Sequence, residues 1–253
     1  MESSDPVFRQ FDKNSKACSW FRNFVRNQNL SATPPKAVLI ISAHWEASPV
    51  QVTSSEQPSL LYDYYGFPDH TYQLKYPVPG SPKLATRVQS LLATSGIRCS
   101  MNSSRGLDHG VFVPMLLAYP DATIPIVQLS LDSSLDPRTH LAIGRALSPL
   151  RDEGVLIFGS GFITHDLSFR LSAAESTLFT DALEQALSVN SSARDDALMR
   201  WTELPHARKA HPREEHLLPL LVCAGVADNE SKFARIGHDL SPPPWLFDCY
   251  RID

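Results

Sequence analysis

Four histidines stand where a chain can do chemistry. His44 follows the apolar run Ala37-Val38-Leu39-Ile40-Ile41-Ser42-Ala43, and His165 follows a second, Gly154-Val155-Leu156-Ile157-Phe158-Gly159-Ser160-Gly161. His109 lies in the turn-like Gly106-Leu107-Asp108-His109-Gly110, and His216 in His211-Pro212-Arg213-Glu214-Glu215-His216. Short apolar runs flanked by Gly and Pro read as buried strands. Open α/β sheets place their sites just past the carboxyl ends of such strands. Imidazole is the commonest protein metal ligand and also titrates near neutrality. The placement points to a metal centre or an acid/base centre. His70, His140, His206 and His238 read as structural or solvated, with His140 on the polar side of its helix.

The elements that must position these groups can be read from the pattern. Ser15 to Asn27 reads as an amphipathic helix with Trp20, Phe21, Phe24 and Val25 on one side. Pro34-Pro35 precedes the strand that carries His44, and Val50 to Thr53 reads as the next strand. An aromatic loop comes next, Tyr62-Asp63-Tyr64-Tyr65-Gly66-Phe67-Pro68, extended by Pro77, Pro79 and Gly80. Long ordered loops are often lids or binding loops. Its rings either cover a hydrophobic edge or line a ring-shaped pocket, with Tyr65 and Phe67 as the candidate substrate contacts. Ser81-Pro82 opens a helix to Thr94, by capping and a first-turn proline. Gly110 to Tyr119 reads as a helix, Ile124 to Leu131 as a strand, and Asp136-Pro137 as the start of a helix to Arg151.

After His165 the pattern is helical over Ala173 to Leu187 and Ala193 to Trp201. A further helix is predicted from Pro212 to Cys223, bent at Pro219, with Glu214 and Glu215 favoured in its first turn. His211 and His216 would be about 140° apart around it. At most one would meet a given ion, and His216 is the candidate. Trp245 to Tyr250 reads as a closing edge strand. Alternating strands and helices imply a single α/β domain, residues 1–253, with a mostly parallel central sheet flanked by helices and the site at the strands' C-terminal ends.

Composition narrows the function. The net charge of −4 arises from 23 basic and 27 acidic residues with no basic face, which argues against nucleic acid. Arg208-Lys209-Ala210-His211-Pro212-Arg213 is the densest basic cluster, and a solvated surface accounts for it. Cys18, Cys99, Cys223 and Cys249 form no C-x-x-C pair, which argues against a zinc knuckle or thioredoxin motif. No apolar run approaches the ~20 residues of a membrane span. The start, Met1-Glu2-Ser3-Ser4-Asp5-Pro6, lacks a signal-peptide pattern. A cytoplasmic protein is the expectation. Gly159-Ser160-Gly161 lacks the third glycine of a dinucleotide fingerprint, because Thr164 stands there. These glycines read instead as letting backbone pass close to a site.

Five blocks in order carry a resemblance. They are Ser42-Ala43-His44-Trp45-Glu46, Tyr64-Tyr65-Gly66-Phe67-Pro68, Gly106-Leu107-Asp108-His109-Gly110, Gly159-Ser160-Gly161 with Thr164-His165-Asp166-Leu167, and His211-Pro212-Arg213-Glu214-Glu215-His216-Leu217-Leu218-Pro219-Leu220. Together they resemble class III extradiol ring-cleavage dioxygenases of the DOPA-dioxygenase type, from about Pro35 to Gly225. The resemblance implies a mononuclear non-haem iron(II) site that binds a catechol and dioxygen, sometimes isolated with zinc. By similarity, His44 and His216 are metal ligands. His165 is the acid/base beside the metal, or a further ligand when zinc is bound, and His109 hydrogen-bonds substrate or oxygen. A nearby imidazole suits this chemistry, since it can take the catechol proton and return one later. Asp108 and Asp166 either orient their neighbouring histidines or form turns. Whether Glu214, Glu215 or His216 meets the ion stays open.

The resemblance also implies a departure. The family opens with a buried strand ending in a ligand histidine within a His-Gly segment. This chain opens at Met1-Glu2-Ser3-Ser4-Asp5, and Phe8-Arg9-Gln10-Phe11 resembles the segment next after that strand. A site short of one ligand and a sheet short of one strand are therefore expected. The competing expectation is a catalytically impaired or purely binding member of the same superfamily. A third option, a zinc hydrolase, rests only on histidines beside acids. Oligomeric state is left open.

Overall fold

An eleven-residue strand, β1 (Ala37–Ala47), runs through the centre of the molecule and carries His44 near its end. Val38, Leu39, Ile40 and Ile41 are all fully buried, as expected for a strand covered on both faces. Leu39 and Ile41 join one apolar cluster, while Val38 and Ile40 join another with Phe112 and Met115. The computed structural model describes residues 14–28, 30, 32–237 and 248–253.

The other strands of this sheet are β2 (Val50–Thr53), β3 (Cys99–Asn102), β4 (Ile126–Asp132) and β5 (Val155–Ser160), in the order β3-β2-β4-β1-β5. β1 pairs in parallel with β4 and β5, and β2 in parallel with β3, whereas β2 meets β4 antiparallel. The mostly parallel sheet is thus as expected. Parallel pairing to β5 stops at Ser42↔Ser160, and the β1–β4 register shifts between Ile41 and Glu46. His44 therefore leaves the ladder where the strand ends become a site.

Nine α-helices flank the strands among the described residues: α1 (Lys16–Asn27), α2 (Pro82–Thr94), α3 (His109–Ala118), α4 (Pro137–Leu147), α5 (Pro149–Asp152), α6 (Ala173–Leu187), α7 (Ser191–Met199), α8 (Ala207–Ala210) and α9 (Leu218–Val226). The predicted caps act as expected. Ser15, Ser81 and Asp136 accept from Cys18, Leu84 and Thr139 N–H. α1 lays Phe24 edge-on against Phe158 of β5, with ring centroids 6.4 Å apart. β6 (Phe233–Gly237) and β7 (Cys249–Ile252) form a separate antiparallel pair.

Several expectations are corrected. No helix starts at Pro212; α9 starts at Leu218, and Pro219 opens it instead of bending it. Residues 211–217 are diverted because their backbone bonds elsewhere, as in Phe162 N–H to His216 O at 3.0 Å. The α4 helix stops at Leu147, since Pro149 cannot continue its hydrogen bonds and opens α5 instead. Asn190 caps α7, which draws Ser191 and Ser192 into the helix and moves its start ahead of Ala193. His140 is fully buried, not on a polar face, and its Nε2 accepts from Asp132 N–H at 3.2 Å. Strands β3 and β6 were not foreseen; the alternation of Cys-Ser-Met-Asn in β3 runs for only four residues, too few to stand out. The expected closing strand is realised as β7, while Trp245–Phe247, His238 and Phe8–Phe11 lie outside the described residues.

Truncating the central strand should be costly. Leu39→Ala is expected to lower unfolding free energy by about 2–5 kcal/mol. In urea the midpoint should fall with an unchanged slope.

Candidate metal centre

Two imidazoles from distant parts of the chain meet edge to edge. His44 Nε2 lies 3.2 Å from His216 Nε2. Two nitrogens bound to one ion at about 2.0–2.1 Å each stand roughly 3.0–3.4 Å apart. The spacing fits a shared metal ion. The protonation pattern fits as well. His216 Nδ1 lies 2.9 Å from Glu215 Oε1. Burial opposes ionisation of Glu215, but the His216 hydrogen bond, with help from Arg213, outweighs it and holds the carboxyl at about 2. An ionised carboxylate only accepts, so a proton sits on His216 Nδ1, and Nε2 is the nitrogen left to meet an ion.

Burial and the neighbouring rings keep His44 and His165 neutral. Burial, then the neighbouring His109 and His216, lower His44 to about 3. Burial, then His216, lower His165 to about 4. Neutral imidazole is the form that binds metal and the form that accepts a proton. His165 stacks on His216, with centroids 3.4 Å apart and planes 17° apart, and its Nδ1 is 3.9 Å from Glu215. His109 stacks on His44 at 4.0 Å. The structure thus brings together all four sequence-predicted histidines. Glu214 instead pairs with Arg208 at 2.7 Å.

Each imidazole is positioned by a traceable local cause. The segment carrying His216 crosses directly over the end of β5. A Cβ on Gly161 would fall 2.1 Å from His216 O, and one on Gly159 2.7 Å from Pro219 O. These glycines therefore do allow close backbone passage, as the sequence suggested. His165 N–H donates to Ala210 O at 2.7 Å, and His211 Nε2 lies 2.8 Å from Ile163 O. His211 is thus a buried brace for the His165 loop, and His216 is the member of the pair that reaches the site. A bidentate pair from Arg213 to Glu46, at 2.5 and 2.7 Å, ties this segment to the end of β1.

The two aspartates beside site histidines act differently, Asp166 on backbone and Asp108 on side chains. Asp166 accepts from the N–H groups of Ser168, Arg170 and Leu171 at 2.9, 2.6 and 2.7 Å, which shapes the turn after His165. Asp108 is fully buried and accepts from Ser42 Oγ at 2.8 Å and from Gln128. Ser42 Oγ accepts from His44 N–H at 3.2 Å, and Arg105 donates to His44 O at 3.2 Å and to Asp108 at 3.4 Å. Asp108 thereby supports His44 across the sheet.

In the aromatic loop, Tyr64, not Tyr65, packs edge-on against His109, with centroids 5.4 Å apart. Tyr65 is 91% exposed, and Phe67 packs on Tyr64 at 5.3 Å. Tyr62 packs on Phe112 at 5.7 Å, so the loop also covers an apolar face. Asp63 was missed by sequence reasoning. Its Oδ1 lies 2.7 Å from His109 Nδ1 and accepts from His109 N–H at 3.0 Å. The available signal was an acid inside an aromatic block already suspected of facing the site.

Imidazoles grouped at strand ends, two of them with carboxylates on their outer nitrogens, suit metal-dependent acid/base chemistry on a small molecule. Residues 9–243 match the family described as the catalytic LigB subunit of aromatic ring-opening dioxygenase, and the chain belongs to that family. It is 43% identical over 211 residues to a 4,5-DOPA dioxygenase extradiol of Beta vulgaris, covering 81% of this chain and 78% of that protein. Identity to the protein of the same name from Escherichia coli (strain K12) is 35% over 202 residues, 78% of this chain and 74% of that one. A crystal structure of an uncharacterized Escherichia coli K12 protein superposes with a TM-score of 0.75 at 31% identity, covering 89% of this chain and 90% of that chain. The resemblance to class III extradiol dioxygenases of the DOPA-dioxygenase type is borne out, and with it the oxidoreductase class. No helix among the described residues is long and apolar enough to cross a membrane.

Buried neutral histidines make the metal-free protein acid-sensitive. Burial lowers His211 to about 3, and His44 and His165 are held at about 3 and 4, against an ordinary 6.5. Below about pH 6.5 the unfolded chain binds protons that these folded groups refuse, so stability falls as pH falls. Asp108, held above its ordinary range chiefly by burial, offsets part of this. The Tm of metal-free protein should drop steadily from pH 6.5 to 4.5, and less steeply in His211→Phe. A flat profile would contradict the burial of neutral imidazole.

Proposed function

We propose that the chain is an extradiol ring-cleaving dioxygenase acting on a catechol such as DOPA at one iron(II). His44 and His216 would hold the ion through Nε2, and zinc would fit the same donors in isolated protein. The observation that carries this reading is the 3.2 Å approach of the two Nε2 atoms, with Glu215 behind His216. The relatives named as 4,5-DOPA dioxygenases support the substrate class. Both oxygen atoms of O2 would enter the product as one ring carbon–carbon bond beside the diol breaks, giving a ring-opened semialdehyde.

When bound, iron(II) supplies open coordination positions for the catechol oxygens and dioxygen, together with redox chemistry. His165, neutral and stacked beside His216, takes a proton from the catechol hydroxyl and can return it. His109 offers a ring nitrogen for hydrogen bonding to the ligand. Tyr64 and Phe67 supply an aromatic wall for a flat ring.

The test is oxygen consumption by anaerobically iron-loaded protein on adding DOPA. One O2 per catechol is expected, and His165→Ala should slow it about 10²–10⁴-fold. A rate that survives the substitution removes His165 from the chemistry. A protein that binds iron tightly yet consumes no oxygen with any catechol would favour the binding-protein alternative.

A further inference from the structure

Two site imidazoles share one carboxylate that no histidine-centred spacing picks out. Asp63 Oδ1 lies 2.7 Å from His109 Nδ1 and accepts from His109 N–H at 3.0 Å. Its other oxygen lies 3.7 Å from His44 Nδ1. The loop around Asp63 is fastened on both sides. Leu61 N–H donates to Leu107 O at 2.7 Å, and Leu107 N–H donates to Ser59 O at 2.8 Å. The Tyr62 and Tyr64 hydroxyls donate to Leu74 O and Thr71 O at 2.5 and 2.6 Å. The carboxylate is therefore held in place by its neighbours and by His109.

An ionised carboxylate can only accept, so the proton it meets on His109 must be on Nδ1. In neutral imidazole the other nitrogen is then bare. The His44 and His109 rings lie 4.0 Å apart and 25° from parallel, both with Nδ1 toward Asp63. Their Nε2 edges are consequently turned away from Asp63. For His44, that edge is the one that meets His216.

We propose that Asp63 is a positioning residue that fixes His109 as its Nδ1–H tautomer, so that Nε2 stands in the site as a hydrogen-bond acceptor, while the same bond latches the aromatic loop to the site. The nature of the ligand rests on the dioxygenase reading above; the tautomer and the latch do not. An acceptor at this position selects a ligand that presents an O–H or N–H to it. A catechol hydroxyl does so, and its methyl ether does not.

The test uses full-length, zinc-loaded protein carrying 15N-labelled histidine, at pH 8. Long-range proton–nitrogen correlation distinguishes the two tautomers, and His109→Gln identifies the His109 signals. His109 should be Nδ1–H in the wild type and in Asp63→Asn, which keeps an acceptor oxygen. In Asp63→Leu it should shift toward Nε2–H. Limited proteolysis within residues 61–76 should be several-fold faster in Asp63→Leu and unchanged in Asp63→Asn. In iron-loaded protein, kcat with DOPA should fall at least tenfold in Asp63→Leu, with most of the loss recovered in Asp63→Asn. An Nε2–H signal in the wild type, or Nδ1–H persisting in Asp63→Leu, overturns the proposal. The wild-type spectrum decides the tautomer even if Asp63→Leu fails to fold. Absence of turnover in every protein would count against the dioxygenase reading and leave the spectroscopic result standing.

Discussion

The structure depends on bringing two imidazole nitrogens, Nε2 of His44 and Nε2 of His216, within 3.2 Å of each other. Two lone pairs at that distance repel unless a proton or a cation lies between them. Nothing local in the sequence brings them there, since 172 residues separate His44 from His216. The surrounding architecture supplies the constraint. On one side stands β1, buried on both faces and held by strands on either flank. On the other, residues 211–217 lie against the end of β5, where side chains are absent at Gly159 and Gly161. The Arg213–Glu46 pair closes the gap from the solvent side. A pair of this kind contributes little to stability when exposed, but here it ties together the two segments that carry His44 and His216.

Electrostatics are set by the same arrangement. Burial lowers the proton affinity of His44 and His165, and the neighbouring imidazoles lower it further. The acids orient the other two rings. Glu215 stands on the outer nitrogen of His216, and Asp63 on that of His109. Each acid directs a proton to Nδ1 and leaves Nε2 for the site. Asp108 and Asp166 work one layer deeper, holding the backbone that carries His44 and the turn after His165.

How much was legible depended on whether the signal was local. The β1 and β5 runs, the Ser81-Pro82 cap and the Asp136 cap are short-range devices, and each element lies where those residues put it. The four site histidines were visible because each sits in or beside such a run or a turn. Asp63 was invisible as a histidine partner because the contact spans 46 residues and a loop. The Pro212 helix failed for a related reason. Pro212 and Pro219 both suit a first helical turn, and only tertiary bonding to the His165 loop decides between them. His140 was misjudged because a polar residue in an amphipathic helix is read as outward. Its two ring nitrogens instead find Asp136 O and Asp132 N–H inside the protein. Strand β3 escaped because an edge strand need not be apolar.

His44 and His216 are proposed to bind one ion together. The most direct test is anaerobic iron(II) titration of the wild type beside His44→Ala, His216→Ala and His70→Ala, the last altering an exposed residue of the short 3-10 helix Asp69–Gln73. One equivalent should bind to the wild type and to His70→Ala, with affinity reduced by at least ten- to a hundredfold in both site variants. Equal binding by all four proteins would contradict the account, because the two facing nitrogens would then hold nothing.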